Sequence, residues 1–113
     1  MIEKYQQPTP ETISPEDYYP QTSKKFDELS ENLRVARLTG NETLEQEIEE
    51  QTYNLSFEVH QYTGVVVTRL QTLLKGEKDE HTRKNYQAVI AHYTSIADRL
   101  ATEMNDLTRS KRN

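Results

Sequence analysis

The chain has 113 residues, of which 33% are apolar and 29% are charged, and its formal net charge is −5. Globular domains usually contain roughly 45–50% apolar residues, so this composition favours one elongated helical assembly with narrow apolar seams over a compact globule. The absence of cysteine excludes disulfides and thiolate metal sites. No apolar run approaches the roughly 20 residues that span a bilayer, and the first residues lack the apolar core of a signal peptide. We therefore expect a cytoplasmic protein that does not enter a membrane.

The first 21 residues differ in composition from the rest of the chain, since they contain all four prolines and few aliphatic side chains. Proline removes backbone donors and disfavours helix in the residue before it, so we predict a flexible N-terminal arm over residues 1–21 and a helical bundle domain over residues 22–113. Ser14 followed by Pro15 permits one helical turn, which Pro20 is expected to interrupt.

Three segments carry apolar residues every three or four positions, the spacing of amphipathic helices. They cover residues 23–38, 42–75 and 79–109, with Gly40 and Gly76 at the two connections. A short link makes consecutive helices antiparallel neighbours. The predicted fold is therefore all-α, with three helices arranged on a long antiparallel helical hairpin.

The second predicted helix has two apolar faces. Its main stripe runs from Leu44 to Leu73 with a mean spacing of about 3.6 residues. A second row is displaced from this stripe by about 140° when successive residues are placed 100° apart, and it contains Tyr53, Phe57, Val67 and Leu74, with His60 and Gly64 between them.

The second row predicts an intermolecular contact. Helix three can bury one face of helix two along its whole length. The shorter helix one is expected to reach along helix two only as far as residues 57–61. Beyond that point the row lacks a partner within the bundle, so we predict an interface at Val65, Val67 and Leu74, most simply in a homodimer. The alternative is that the N-terminal arm folds back and covers this strip with Ile13, Tyr18 and Tyr19.

The arm tyrosines Tyr18 and Tyr19 are a second candidate contact. Tyrosine combines a large apolar ring with a polar tip and is enriched at interfaces. Two interpretations have equal weight, because contact with a partner and folding back onto the bundle would both bury these rings.

The residues that usually carry chemistry form no recognisable arrangement. His60, His81 and His92 lack the spacing of helical zinc or di-iron sites. The serines occur without a nucleophile elbow, and the three glycines are isolated from one another. We therefore predict no catalytic, cofactor-binding or metal-binding residues.

The leading functional hypothesis is a non-enzymatic module, an adaptor, inhibitor or regulatory subunit, that binds another protein of unknown identity. The alternative is a nucleic-acid-associated protein or a DNA mimic, because residues 1–60 hold 13 acidic and 5 basic side chains whereas residues 61–113 hold 6 and 9. The net acidic charge argues against binding nucleic acid, and the basic end formed by Arg109, Lys111 and Arg112 is small. An enzyme would require a metal or cofactor site assembled between chains at the histidines.

Overall fold

The computed structural model describes residues 7–109, which are mainly helical and contain no β-strand. Helix α1 spans Pro15–Thr39, α2 spans Glu42–Gly76 and α3 spans Glu80–Arg109. The predicted all-α fold with three helices is confirmed. Residues 1–6 and the basic side chains of Lys111 and Arg112 lie outside the described part. Within residues 7–109, no helix is long and apolar enough to cross a membrane.

The turn between α1 and α2 is built from a glycine and an asparagine. Gly40 has a φ of 70°, in the left-handed region that favours glycine, and its N–H donates to the carbonyl of Arg37. The N–H of Asn41 donates to the carbonyl of Ala36, while its side chain accepts from the N–H of Leu44 at 3.1 Å. The end of one helix is therefore followed directly by the capped start of the next.

The link between α2 and α3 is held by side chains on both sides of it. The Arg83 guanidinium donates to the carbonyls of Leu74 and Glu77 at 2.9 and 3.1 Å. Asp79 accepts from the Thr82 hydroxyl at 2.8 Å and from the Thr82 N–H at 2.9 Å, and these two bonds lower the pKa of this carboxyl. The last turn of α2 is thereby tied to the first turn of α3.

The first helix is longer than its sequence pattern predicts. It begins at Pro15 and continues through Pro20, so the predicted interruption at Pro20 is wrong, and α1 extends across the predicted boundary between residues 21 and 22. Pro15 suits the first helical position because the N–H that it lacks has no partner there in any helix. A proline inside a helix costs on the order of 3 kcal/mol, and burial of Tyr18 and Tyr19 offsets that cost.

The core lies between α2 and both of its neighbours, whereas α1 and α3 contact each other less closely. The described part measures 58 × 41 × 19 Å, so the bundle is flat. The buried hydroxyl of Thr52 donates to the carbonyl of Ile48 at 2.8 Å, which satisfies it within the apolar stripe. The buried apolar residues are Tyr18, Tyr19, Phe26, Leu29, Leu33, Ala36, Ile48, Leu55, Val59, Tyr62, Val66, Ala97, Leu100, Ala101 and Met104.

Arg37 joins all three helices at one end of the bundle. Its guanidinium donates to the Glu45 carboxylate at 3.2 Å and to the Leu107 carbonyl at 3.2 Å. Glu45 lies near the start of α2, and Leu107 lies near the end of α3. This partly buried ion pair therefore connects the last turn of α1 to the beginning of α2 and the end of α3.

Candidate functional site

Four tyrosines from the three helices form one aromatic cluster. Tyr18 stacks on Tyr62 with ring centroids 3.7 Å apart, and Tyr19 meets Tyr62 edge to face at 5.8 Å. Tyr93 of α3 stacks against Tyr19 at 5.5 Å. Such aromatic pairs contribute about 0.5–1.5 kcal/mol each beyond the burial of their surface. The cluster therefore fixes the beginning of α1 against the middle of α2 and of α3.

Three of the four phenol groups of the cluster, those of Tyr18, Tyr19 and Tyr62, have hydrogen-bond partners within the chain. The Tyr18 hydroxyl donates to Glu58 Oε2 at 2.9 Å, and the Tyr62 hydroxyl donates to the Ile13 carbonyl at 2.6 Å. The Tyr19 and Thr63 hydroxyls lie 2.6 Å apart. Burial raises the pKa of Tyr62 to about 12 and raises that of Tyr18 well above its usual range. These phenols stay protonated near neutral pH and act as structural groups.

Packing in this cluster determines how much surface Tyr18 and Tyr19 expose to a partner. Their exposed fractions are 3% and 5%, so in this conformation neither ring presents a surface to another molecule. Ile13, the third residue of the fold-back alternative, is partly buried against the same core. In the structure, therefore, the segment that contains Ile13, Tyr18 and Tyr19 folds back onto the bundle.

The segment before α1 extends this cover along α2. The backbone N–H groups of Thr12 and Ile13 both donate to the Thr9 carbonyl, which forms a compact turn. Glu11 makes an ion pair with Arg69, and this contact lowers the pKa of the Glu11 carboxyl. Residues 9–13 thus lie against α2 at Tyr62 and Arg69.

The side of α2 opposite its buried stripe is exposed along the whole helix. We define the outer face as the ten exposed residues that fall within an arc of about 80° when successive residues are placed 100° apart. They are Glu42, Gln46, Glu50, Tyr53, Phe57, His60, Gly64, Thr68, Gln71 and Lys75.

Two aromatic rings stand at the centre of the outer face. Tyr53 and Phe57 are one helical turn apart, and their exposed fractions are 67% and 55%. Sequence reasoning placed both residues in the second row but expected helix one to cover them. That expectation is wrong, because α1 packs beside the buried stripe, where Tyr18 reaches Glu58 and Tyr62. The feature of the sequence that indicates this exposure is the offset of about 140° between the second row and the main stripe of helix two.

The sequence-predicted interface residues lie on both sides of this face. Val65 is 37% exposed and lines a shallow cleft with Gly64 and Thr68, whereas Val67 and Leu74 are half-buried. The three therefore present less apolar surface than Tyr53 and Phe57 do. The most accessible apolar surface of the second row lies in its first half.

A groove of about 690 Å³ separates the beginning of α1 from α3. Its apolar wall contains Tyr19, Tyr93 and Ile96, and its polar rim includes Arg99 and Glu103. The three histidines, His60, His81 and His92, are exposed. Among the residues that the structure describes, no group of three or more His, Asp or Glu side chains is placed to hold a metal ion.

Other exposed apolar side chains lie at the two ends of the bundle. Val35, Leu38 and Leu44 flank the turn between α1 and α2, and Leu73 and Val89 lie near the link between α2 and α3. These residues do not continue the outer face, because Leu44 and Leu73 lie on the opposite side of α2 from Tyr53.

Comparison of the chain with models of protein families, with curated proteins and with solved structures returns no match.

Proposed function

We propose that this chain is a non-enzymatic protein–protein interaction module, an adaptor, inhibitor or regulatory subunit of the cytoplasm, that binds its partner through the outer face of α2. The observation that carries this proposal is the exposure of Tyr53 and Phe57 on adjacent helical turns. Aromatic side chains are enriched in the centres of protein interfaces, where burial of a ring contributes large contact area at little cost in conformational entropy.

The composition of the outer face supports a protein as the partner. Along the helix the two rings are flanked by Glu50 and His60, and polar or charged side chains, among them Gln46, Gln71, Glu42 and Lys75, follow towards the two ends. An apolar centre with a polar and charged margin is the usual anatomy of a protein interface. A protein partner is favoured over a nucleic acid because the acidic side chains at one end of this face repel phosphate.

The frame beneath the face supports the same proposal. The contacts of Arg83 at one end of α2 and of Arg37 at the other favour an antiparallel hairpin of α2 and α3. The tyrosine cluster holds the middle of α2 from the inside. A surface on such a braced helix needs little ordering when a partner binds, so little affinity is lost to conformational entropy.

Site-specific photo-crosslinking in living source cells tests the proposal. A photoreactive phenylalanine analogue placed at Phe57 is expected to give a covalent adduct with a protein. The matched control is the same analogue at Leu73, which is 53% exposed but lies on another side of α2. A protein adduct at position 57 that is several-fold stronger than at position 73 is the expected result. Equal yields at both positions would show that the outer face is ordinary surface.

A further inference from the structure

We propose that the partner of the outer face is a second copy of this chain, with the two α2 helices antiparallel and centred on the point between Glu58 and Val59. This inference rests on the proposed function of the outer face and names the occupant of that face. It is carried by the charge distribution along α2, by the register of the outer-face residues and by Gly64.

The charges of α2 are divided between its two halves. From Glu42 to Glu58 the helix has six acidic side chains and no basic one, and from residue 59 to residue 76 it has Arg69 and Lys75 and no acidic one. A parallel pair of α2 helices would place the two acidic halves together. On the outer face itself the charged side chains are Glu42 and Glu50 in the first half and Lys75 in the second, so an antiparallel pair places Glu42 beside Lys75, and charge complementarity favours the antiparallel arrangement.

The outer-face residues are distributed symmetrically about the same point. Tyr53 and Gly64 are equally far from it on opposite sides, so each Tyr53 ring would lie over the Gly64 of the second copy. Phe57 is related in the same way to His60, and Gln46 to Gln71. Glu50 falls within one residue of the position opposite Thr68.

The ends of the face follow the same register. Glu42 and Lys75 are also equally far from the centre, so the dimer contains this oppositely charged pair twice, once at each end. Opposite charges in contact across a helix pair fix its orientation and register. The same centre therefore aligns both the aromatic and the charged positions.

Neither packing nor backbone conformation within the described residues requires a glycine at position 64. A Cβ built on Gly64 would meet no atom within 4 Å, and among the described residues only Gly40 has a positive φ. Glycine in the interior of a helix reduces stability relative to alanine, so the residue needs a compensating role. A second helix whose ring lies at this position supplies that role, because the missing side chain allows the close approach.

The expected dimer is small and dissociates on dilution. From residue 42 to residue 75 the helix is about 50 Å long, and a strip about 10 Å wide on each copy would bury on the order of 1,000 Å² in total. That area is at the lower end for specific complexes. We therefore expect self-association that rises with protein concentration.

Disulfide trapping tests both the partner and the register, because the natural chain contains no cysteine. Two exposed positions are changed in separate proteins, Glu42→Cys and Lys75→Cys, and each folded protein is oxidised alone and as an equal mixture. The mixture is expected to give several-fold more covalent dimer than either protein alone. In the antiparallel register, two copies of position 42 lie about 50 Å apart, whereas position 42 faces position 75. The control is Glu28→Cys, exposed on α1, mixed with Lys75→Cys.

Other results would overturn the inference in distinguishable ways. Strong crosslinking of Glu42→Cys with itself would indicate a parallel pair, and equal yields with the Glu28→Cys control would indicate random collision. If the mixture gives no specific product while the photoreactive group at position 57 captures a different protein, self-pairing is wrong and the proposed function stands. If both experiments fail, both proposals are wrong.

Discussion

The ring of Tyr18 stacks on the ring of Tyr62 at a centroid distance of 3.7 Å and an interplanar angle of 15°. The two hydroxyls have different acceptors, since Tyr18 donates to Glu58 and Tyr62 donates to the carbonyl of Ile13. This contact joins the first turns of α1 to the middle of α2. It places the proline-containing beginning of the helix in the core, and it braces α2 on the side opposite its outer face.

Replacing Tyr18 should destabilise the fold far more than replacing an exposed tyrosine. Truncation of a large buried aromatic side chain costs about 3–5 kcal/mol, so we expect a loss of this size for Tyr18→Ala. Tyr53→Ala, at a position that is 67% exposed, should change the free energy of unfolding of the monomer by less than about 0.5 kcal/mol. Urea denaturation at low protein concentration measures both. Equal small losses would show that the first turns of α1 are not packed in solution.

Two aliphatic truncations should separate the buried stripe from its margin. Leu55 is 5% exposed, so Leu55→Ala is expected to cost about 2–4 kcal/mol of unfolding free energy. Ile96 is only half-buried, and Ile96→Ala should cost about 1–2 kcal/mol because fewer contacts are lost. Chemical denaturation of both variants gives the comparison. A larger loss for Ile96→Ala would mean that α3 packs more deeply than the structure has it.

Alkaline pH should weaken the fold through the tyrosine cluster. The pKa of Tyr62 is raised to about 12 in the folded chain, above its ordinary value of 10.0, so the unfolded chain loses this proton first. The stabilising contribution is complete below about pH 10 and is lost as the pH rises towards 12. The unfolding free energy should therefore fall between about pH 10 and about pH 12.

The matched variant for this pH dependence is Tyr62→Phe. It should lower the unfolding free energy at neutral pH by about 1 kcal/mol, through loss of the bond to Ile13, and should make the fall at alkaline pH shallower. An unchanged slope would assign the alkaline effect to other groups.

The sequence predicts where the helices lie in the chain, and which side of each is buried, better than it predicts how they pack against one another. The spacing of Leu29 and Leu33, or of Leu55 and Val59, reports directly which side of a helix is buried, and Gly40 marks a helix end through its own backbone preference. Helix continuation through Pro20 is different, because it depends on tertiary burial of adjacent rings that local rules do not contain.

The candidate surface was accessible to sequence reasoning only in part. The periodicity placed Tyr53, Phe57 and Gly64 together in a second row. It carried no information about the side of α2 on which α1 would pack, and this side decides whether the row is covered. The actual position of α1 follows from the contacts of Tyr18 and Tyr19, which the sequence pattern assigned to an arm.

Gly64→Ala should separate the stability of the fold from self-association. Alanine in a helix interior is favoured over glycine by roughly 0.5–1 kcal/mol, and the space around Gly64 admits a Cβ, so the monomer should become more stable by this amount. The same methyl group should weaken the dimer, because it separates the two helices at the Tyr53 contact. Thermal unfolding at low concentration and sedimentation at high concentration measure the two effects. A variant that gains stability and also dimerises more tightly would contradict the role given to Gly64.

Charge exchange should test the register in solution. Glu42→Lys is expected to raise the dissociation constant of the dimer about tenfold, because exposed ion pairs contribute roughly 0.2–1 kcal/mol each and two pairs become repulsive. Adding Lys75→Glu in the same chain should restore most of the affinity. Sedimentation equilibrium gives the three dissociation constants. A double variant that stays as weak as the single one would show that these two positions do not meet.

The outer face of α2 is tested most directly by molar mass from light scattering over a series of protein concentrations, with Phe57→Glu and the matched control Leu73→Glu measured beside the natural chain. The two positions are 55% and 53% exposed, so both variants should remain folded. The natural chain and Leu73→Glu should rise from 13.3 kDa towards twice that mass as concentration increases, and Phe57→Glu should stay at 13.3 kDa. A natural chain that stays at the monomer mass throughout, or a Phe57→Glu variant that associates as the natural chain does, would contradict self-association through this face.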